Sequence, residues 1–189
     1  MPATLLRRTG HFELWSVGTG GLVQVVDTTT GIAADGSDLG RMTSGFLDSN
    51  LPGEGIYPTI AYAGQPAAPP TLPTGAAPTG PPGRVVAEDE NLSSGVATAV
   101  VRANRTAVVL LKVSFDPGWS VSVDAKRAVP EMIAPALVGV RVTQGVHRVV
   151  FRFHGFGSYP VLFGVAVVTV LAVGVGPVVW RRRRRPRAS

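Results

Sequence analysis

The sequence predicts a mainly β protein: an antiparallel β-sandwich of jelly-roll or immunoglobulin-like type, followed by one C-terminal transmembrane helix. Three observations predict this. From Arg84 to Phe153, short runs rich in Val, Thr and aromatics alternate with turn signals. The stretch Tyr159 to Trp180 (YPVLFGVAVVTVLAVGVGPVVW) carries no ionisable side chain apart from the tyrosine phenol, and RRRRRPR follows it at once. The chain also has no cysteine, so a domain here relies on its core, without disulfides or thiol chemistry.

In chain order, residues 1–64 form an N-terminal β-rich part. His11 to Val17 and Leu22 to Thr28 read as strands split by Gly18, Gly20 and Gly21, and Thr28 to Gly40 reads as a loop. Arg41 to Ser49 fits either a short helix or an irregular turn. Ile56 to Ala63 reads as an edge strand, because Pro58 lacks the N–H a central strand needs. Residues 65–83 contain seven prolines and read as an extended or disordered linker. Residues 84–158 are the expected sandwich core: Arg84 to Glu88, Val96 to Ala103, Thr106 to Phe115, Trp119 to Val123, Leu137 to Thr143 and Val146 to Phe153. In the last, arginines alternate with apolar residues, so one face is apolar and the other basic. Five consecutive apolar residues in Thr106 to Phe115 predict a strand buried on both faces.

Residues 159–180 would make a helix about 33 Å long, against a hydrocarbon core of about 30 Å. Tyr159 and Trp180 stand where interfacial rings anchor a span. Arg181, Arg182, Arg183, Arg184, Arg185 and Arg187 form the tail, 181–189, and would hold it on the cytoplasmic side against anionic headgroups. The expected localisation is therefore the cell membrane, single-pass, with the bulk of the chain extracytoplasmic. A pair of buried strands is the alternative for 159–180, disfavoured by length; a tail-anchored protein with a cytoplasmic domain is the competing topology. A nucleic-acid patch is the alternative for the arginines, disfavoured by their position beside the span. The tail holds six of the eighteen basic residues, leaving twelve against twelve acidic ones and a neutral body. Met1 to Gly10 has no apolar core of a signal peptide. The chain is thus expected to be the end of a longer multi-spanning protein.

The residues Ser114-Phe115-Asp116-Pro117-Gly118-Trp119, Val121-Ser122-Val123-Asp124, Val138 to Val142 and Gly145-Val146-His147 set a pattern: an aromatic-x-Pro-Gly-Trp turn, a strand ending in Val-Asp, and a Gly-x-His hairpin. It resembles the C-terminal region of the YfhO family of bacterial multi-spanning membrane proteins. Ala125 departs from the glycine usual there, which predicts a different turn type. The N-terminal third, with Trp15, Val25-Val26-Asp27 and Phe46-Leu47, looks like actinobacterial members. The resemblance implies a GT-C glycosyltransferase or an accessory to lipid-linked sugar transfer onto envelope glycopolymers, its catalytic loops lying outside this chain. The partners implied are the lipid bilayer, a multi-spanning glycosyltransferase body and glycan.

The residues themselves supply no catalytic, cofactor or metal site, and no cofactor or nucleic-acid partner is expected. His11, His147 and His154 lack metal-ligand spacing. Asp116 and Asp124 could make an acid/base pair but suit turn positions better. The glycines at 18–21 and Ser44-Gly45 complete no nucleotide or nucleophile motif. Trp119 is the candidate glycan contact, weighed against a core position. The expected function is a non-catalytic domain plus anchor, or alternatively a stand-alone membrane-anchored carbohydrate-binding or interaction module. An enzyme complete in this chain is not expected, since its residues offer no clustered polar site.

Overall fold

Alternation of buried and exposed residues on two sheets organises the computed structural model. It describes residues 3–17, 20–34, 38–62, 64–73, 79–155 and 159–183, the last as a helix with side chains described to Val173. Two units result, Met1–Phe153 and His154–Ser189.

In the first unit, β1 (Ala3–Thr9) and β2 (Phe12–Val17) form a separate antiparallel hairpin. The strands β3 (Val23–Ala34), β4 (Ile56–Tyr62), β7 (Ala107–Ser114), β10 (Glu131–Ile133) and β11 (Leu137–Val142) close into a five-stranded barrel, ordered β10-β11-β7-β3-β4. The strands β5 (Gly83–Asn91), β6 (Val96–Ala103), β8 (Trp119–Val123), β9 (Lys126–Ala128) and β12 (Gly145–Phe153) form an open sheet, ordered β5-β6-β12-β8-β9. Helices α1 (Leu39–Leu47) and α2 (Leu51–Glu54) link β3 to β4. Phe46 of α1 is buried with Ile60, Met132 and Ala134.

β7 shows why the sandwich expectation fails. Its Ala107, Val109 and Leu111 pack with Val23, Val25, Val140, Val149 and Phe151, between barrel and sheet. The intervening Val108 and Leu110 meet Val26 and Ile133 inside the barrel. The run is buried on both faces, but one of those faces is a barrel interior. The barrel, in place of a second open sheet, is closed by Ile133 opposite Thr59 and by the Ala134 amide donating to Pro58 O at 2.9 Å. β4 runs parallel to β3 and is no edge strand. Pro58 is tolerated because it stands where the β3–β4 register slips, between Thr29 and Ile32. β3 also continues to Ala34, through the expected loop.

Where it is described, the proline-rich stretch is tied to the barrel. Thr71 Oγ1 accepts from the Thr28 amide at 2.7 Å, and Thr28 O accepts from the amides of Thr71 and Leu72. Thr59 Oγ1 donates to Ala68 O at 2.8 Å, and Leu72 is buried.

The second unit holds α3 (Tyr159–Arg183). Among the described residues, no helix is long and apolar enough to cross a membrane. This overturns the transmembrane helix, the membrane character and the single-pass, extracytoplasmic localisation expected from the sequence. Of the expected anchor residues, Tyr159 begins α3. Trp180, Arg181, Arg182, Arg183, Arg184, Arg185 and Arg187 lie outside the residues whose side chains are described.

Candidate functional site

The PGW turn joins β7 to β8 and is built by Asp116. Its Oδ1 accepts the Gly118 amide at 2.6 Å, and its carbonyl accepts the Trp119 amide at 3.0 Å. Asp116 thus closes its own turn, the ordinary use of aspartate there. Trp119 is half-buried; its ring lies 5.2 Å from that of Phe153, and its Nε1 donates to Ser114 O at 3.2 Å. Its neighbours Phe115 and Pro117 face a cleft instead.

That cleft has a volume of about 550 Å³. One wall is the end of β4, with Ile60 and Tyr62. Gln65, Pro66 and Ala68 of the proline-rich stretch form the second, and the segment entering β10, with Glu131 and Met132, the third. Gln65 is fixed by two backbone hydrogen bonds with Tyr62, at 3.0 and 3.1 Å. Glu131 is held by Arg141, whose Nε donates to Oε1 at 3.1 Å and whose Nη2 donates to Oε2 at 3.3 Å. Arg141 Nη2 also donates to Pro69 O, tying the second wall to the third. The cleft therefore offers aromatic and proline surfaces beside an exposed amide and a fixed carboxylate, a composition and size usual for small-ligand sites.

At the far end of β8, Asp124 serves a second turn. Its Oδ1 accepts the Arg148 amide at 2.9 Å, and its Oδ2 lies 2.7 Å from His147 Nδ1. The hydrogen bond with His147, and then that from Arg148, hold the Asp124 carboxyl below the usual carboxylate range. His147 Nε2 lies 3.0 Å from Thr143 O. Asp124 and Ala125 have φ of 51° and 64°, the pair of left-handed residues a two-residue hairpin demands. The turn geometry expected to change at Ala125 is thus kept. Asp116 and Asp124 each close a separate turn. His11 lies in the β1–β2 turn and His154 follows β12. Among the described residues, no group of His, Asp or Glu could hold a metal ion.

Sequence reasoning reached the PGW turn but not the cleft. Tyr62, Gln65 and Glu131 come from segments that only barrel closure brings to Phe115. Comparison with protein-family models, curated proteins and solved structures gives no match.

Proposed function

We propose that the β domain is a non-catalytic carbohydrate-binding module, of the accessory kind that the resemblance to the YfhO family implies beside a sugar transferase. The observation that carries this reading is the cleft between Tyr62, Gln65 and Phe115. Aromatic rings cover the apolar face of a pyranose, while the Gln65 amide and the Glu131 carboxylate address its hydroxyls. The two groups suit a neutral sugar: Gln65 both donates and accepts, and Glu131 is already neutralised by Arg141.

The test is titration of the full chain with neutral oligosaccharides of glucose, mannose and N-acetylglucosamine, followed by amide NMR shifts. Binding is expected to move the signals of residues 62–68 and 129–132, and to weaken in Gln65→Ala and Tyr62→Ala. Gln65 is exposed, so its variant tests contact without unfolding the core. Unmoved signals with every sugar, or binding indifferent to both variants, would overturn the proposal. Turnover of a sugar would overturn its non-catalytic half.

A further inference from the structure

The outward face of the open sheet is basic. Val101, Val121, Val149 and Phe151 point into the core, so their neighbours point away from it. Register then places the outward residues in rows. Arg84 and Arg102 stand directly opposite one another, with Val146 beyond. Val100 opposes Arg148, Thr98 opposes Val150, and Val96 opposes Arg152. On the far side, Ser122 follows Val150 and Arg127 opposes Ser122. Five arginines share this face and all are exposed. Asp89, opposite Thr98, is the one carboxylate in those rows. Among the described residues, none of the five guanidiniums makes a hydrogen bond or an ion pair.

Two features make the face more than a solvated surface. Arg84 directly opposite Arg102 places like charges on strands about 4.8 Å apart, an arrangement that costs stability unless an anion answers it. Four valines, Val96, Val100, Val146 and Val150, zigzag between the arginines up the β6–β12 pair, Val146 being 55% exposed. No aromatic side chain stands in these rows. Single-stranded nucleic acid is held by stacking on aromatic rings, and a flat sheet face does not enter a duplex groove. Aliphatic side chains ringed by arginine are the composition of a protein interface, and guanidinium forks match carboxylates in pairs.

We propose that this face docks an acidic amphipathic helix of a partner protein, its apolar stripe over the valine zigzag and its flanking carboxylates on Arg84, Arg102, Arg127, Arg148 and Arg152. A helix laid on a sheet is the usual way such a face is covered. The docking is independent of the carbohydrate cleft, which opens elsewhere in the same unit.

The test uses the full chain and a synthetic helical peptide with leucines on one stripe flanked by glutamates, measured by fluorescence anisotropy. Binding is expected to weaken with added salt. It is expected to fall about tenfold or more in Arg148→Gln/Arg152→Gln, an outcome typical of losing interface arginines. Val100→Ser/Val150→Ser is expected to weaken it as well, whereas Arg41→Gln, in α1, leaves it unchanged. The circular dichroism of each variant should match that of the parent. Loss with the arginine pair but none with the valine pair, or equal binding of oligo-dT, dextran sulfate or anionic lipid vesicles, would overturn the proposal. Peptide binding by a chain that binds none of the sugars, or whose sugar binding is indifferent to the cleft variants, would count against the carbohydrate reading alone.

Discussion

The carboxylate of Asp27 is held from both sides of its plane edge by one residue: Arg105 Nε donates to Oδ1 at 3.1 Å and Nη2 to Oδ2 at 2.6 Å. The Asp27 side chain is 2% exposed, while that of Arg105 is 26% exposed. Arg105 also donates to the carbonyls of Thr79 and Gly80, so the pair ties β3, the β6–β7 turn and the approach to β5 together. The hydrogen bond with Asp27 holds the guanidinium pKa above its ordinary value. Arg105→Met leaves a buried carboxylate without its cation and is expected to destabilise the domain by about 3 kcal/mol. Arg105→Lys keeps the charge but not the fork and is expected to cost less. Urea denaturation of both variants checks the order; equal stability of Arg105→Met and the parent would refute the argument.

The Asp124 turn gives a pH dependence with a definite sign. The folded carboxyl titrates below its unfolded value, because His147 first and the Arg148 amide second favour its charged form. Its contribution is therefore fully present above the ordinary carboxylate pKa of about 3.9 and lost as pH falls through the lower folded value. Asp124→Asn is expected to lower the melting temperature near neutrality, with the gap to the parent closing in acid. A gap that widens as pH falls would contradict this sign.

Ala125, next in that turn, has φ of 64°, a conformation that costs a residue bearing a Cβ about 1–2 kcal/mol. Glycine removes that strain while making the unfolded chain more flexible. Ala125→Gly is expected to stabilise the domain by about 0.5–1 kcal/mol, read as a higher denaturation midpoint at unchanged slope. A lower midpoint would show that the turn relaxes around alanine without strain.

How much of this was legible in the sequence follows from which contacts are local. β6 and β8 fall on their predicted spans because Val96 to Ala103 and Trp119 to Val123 are bounded by turn residues. β9 and β10 were invisible: each has three residues, too few for a period, and each is held by a neighbour's register alone. Without β10 the barrel cannot be foreseen, since Ile133 opposite Thr59 is the closing pair. Pro58 misled for a local reason, because the register slip that admits it is set by β3. The cleft shares this difficulty. Phe115 sits beside the motif that drew attention to Trp119, but Tyr62 and Glu131 reach it through the barrel. The arginine face was half legible, since alternation in Val146 to Phe153 separates Arg148 and Arg152 from the core, whereas Arg84 and Arg102 join them only through pairing.

Gly139 tests the barrel interior directly. It lies in β11, opposite Glu131 on one side and Leu110 on the other. A Cβ there would come 2.6 Å from Ile133 Cγ1 and 2.8 Å from Val108 Cγ1, both buried within the barrel. Neither is the end of a flexible chain, and closure at Ile133 leaves little room for β10 to move outward. Gly139→Ala is therefore expected to destabilise the domain by about 1–3 kcal/mol through overpacking. The same change made with Ile133→Ala, which removes the Cγ1 atom that the new methyl group meets, is expected to cost less than the two single changes summed. Denaturant melts of the single and double variants measure the coupling. Strict additivity of the two effects would show that Gly139 does not face Ile133 across the β10–β11 pair.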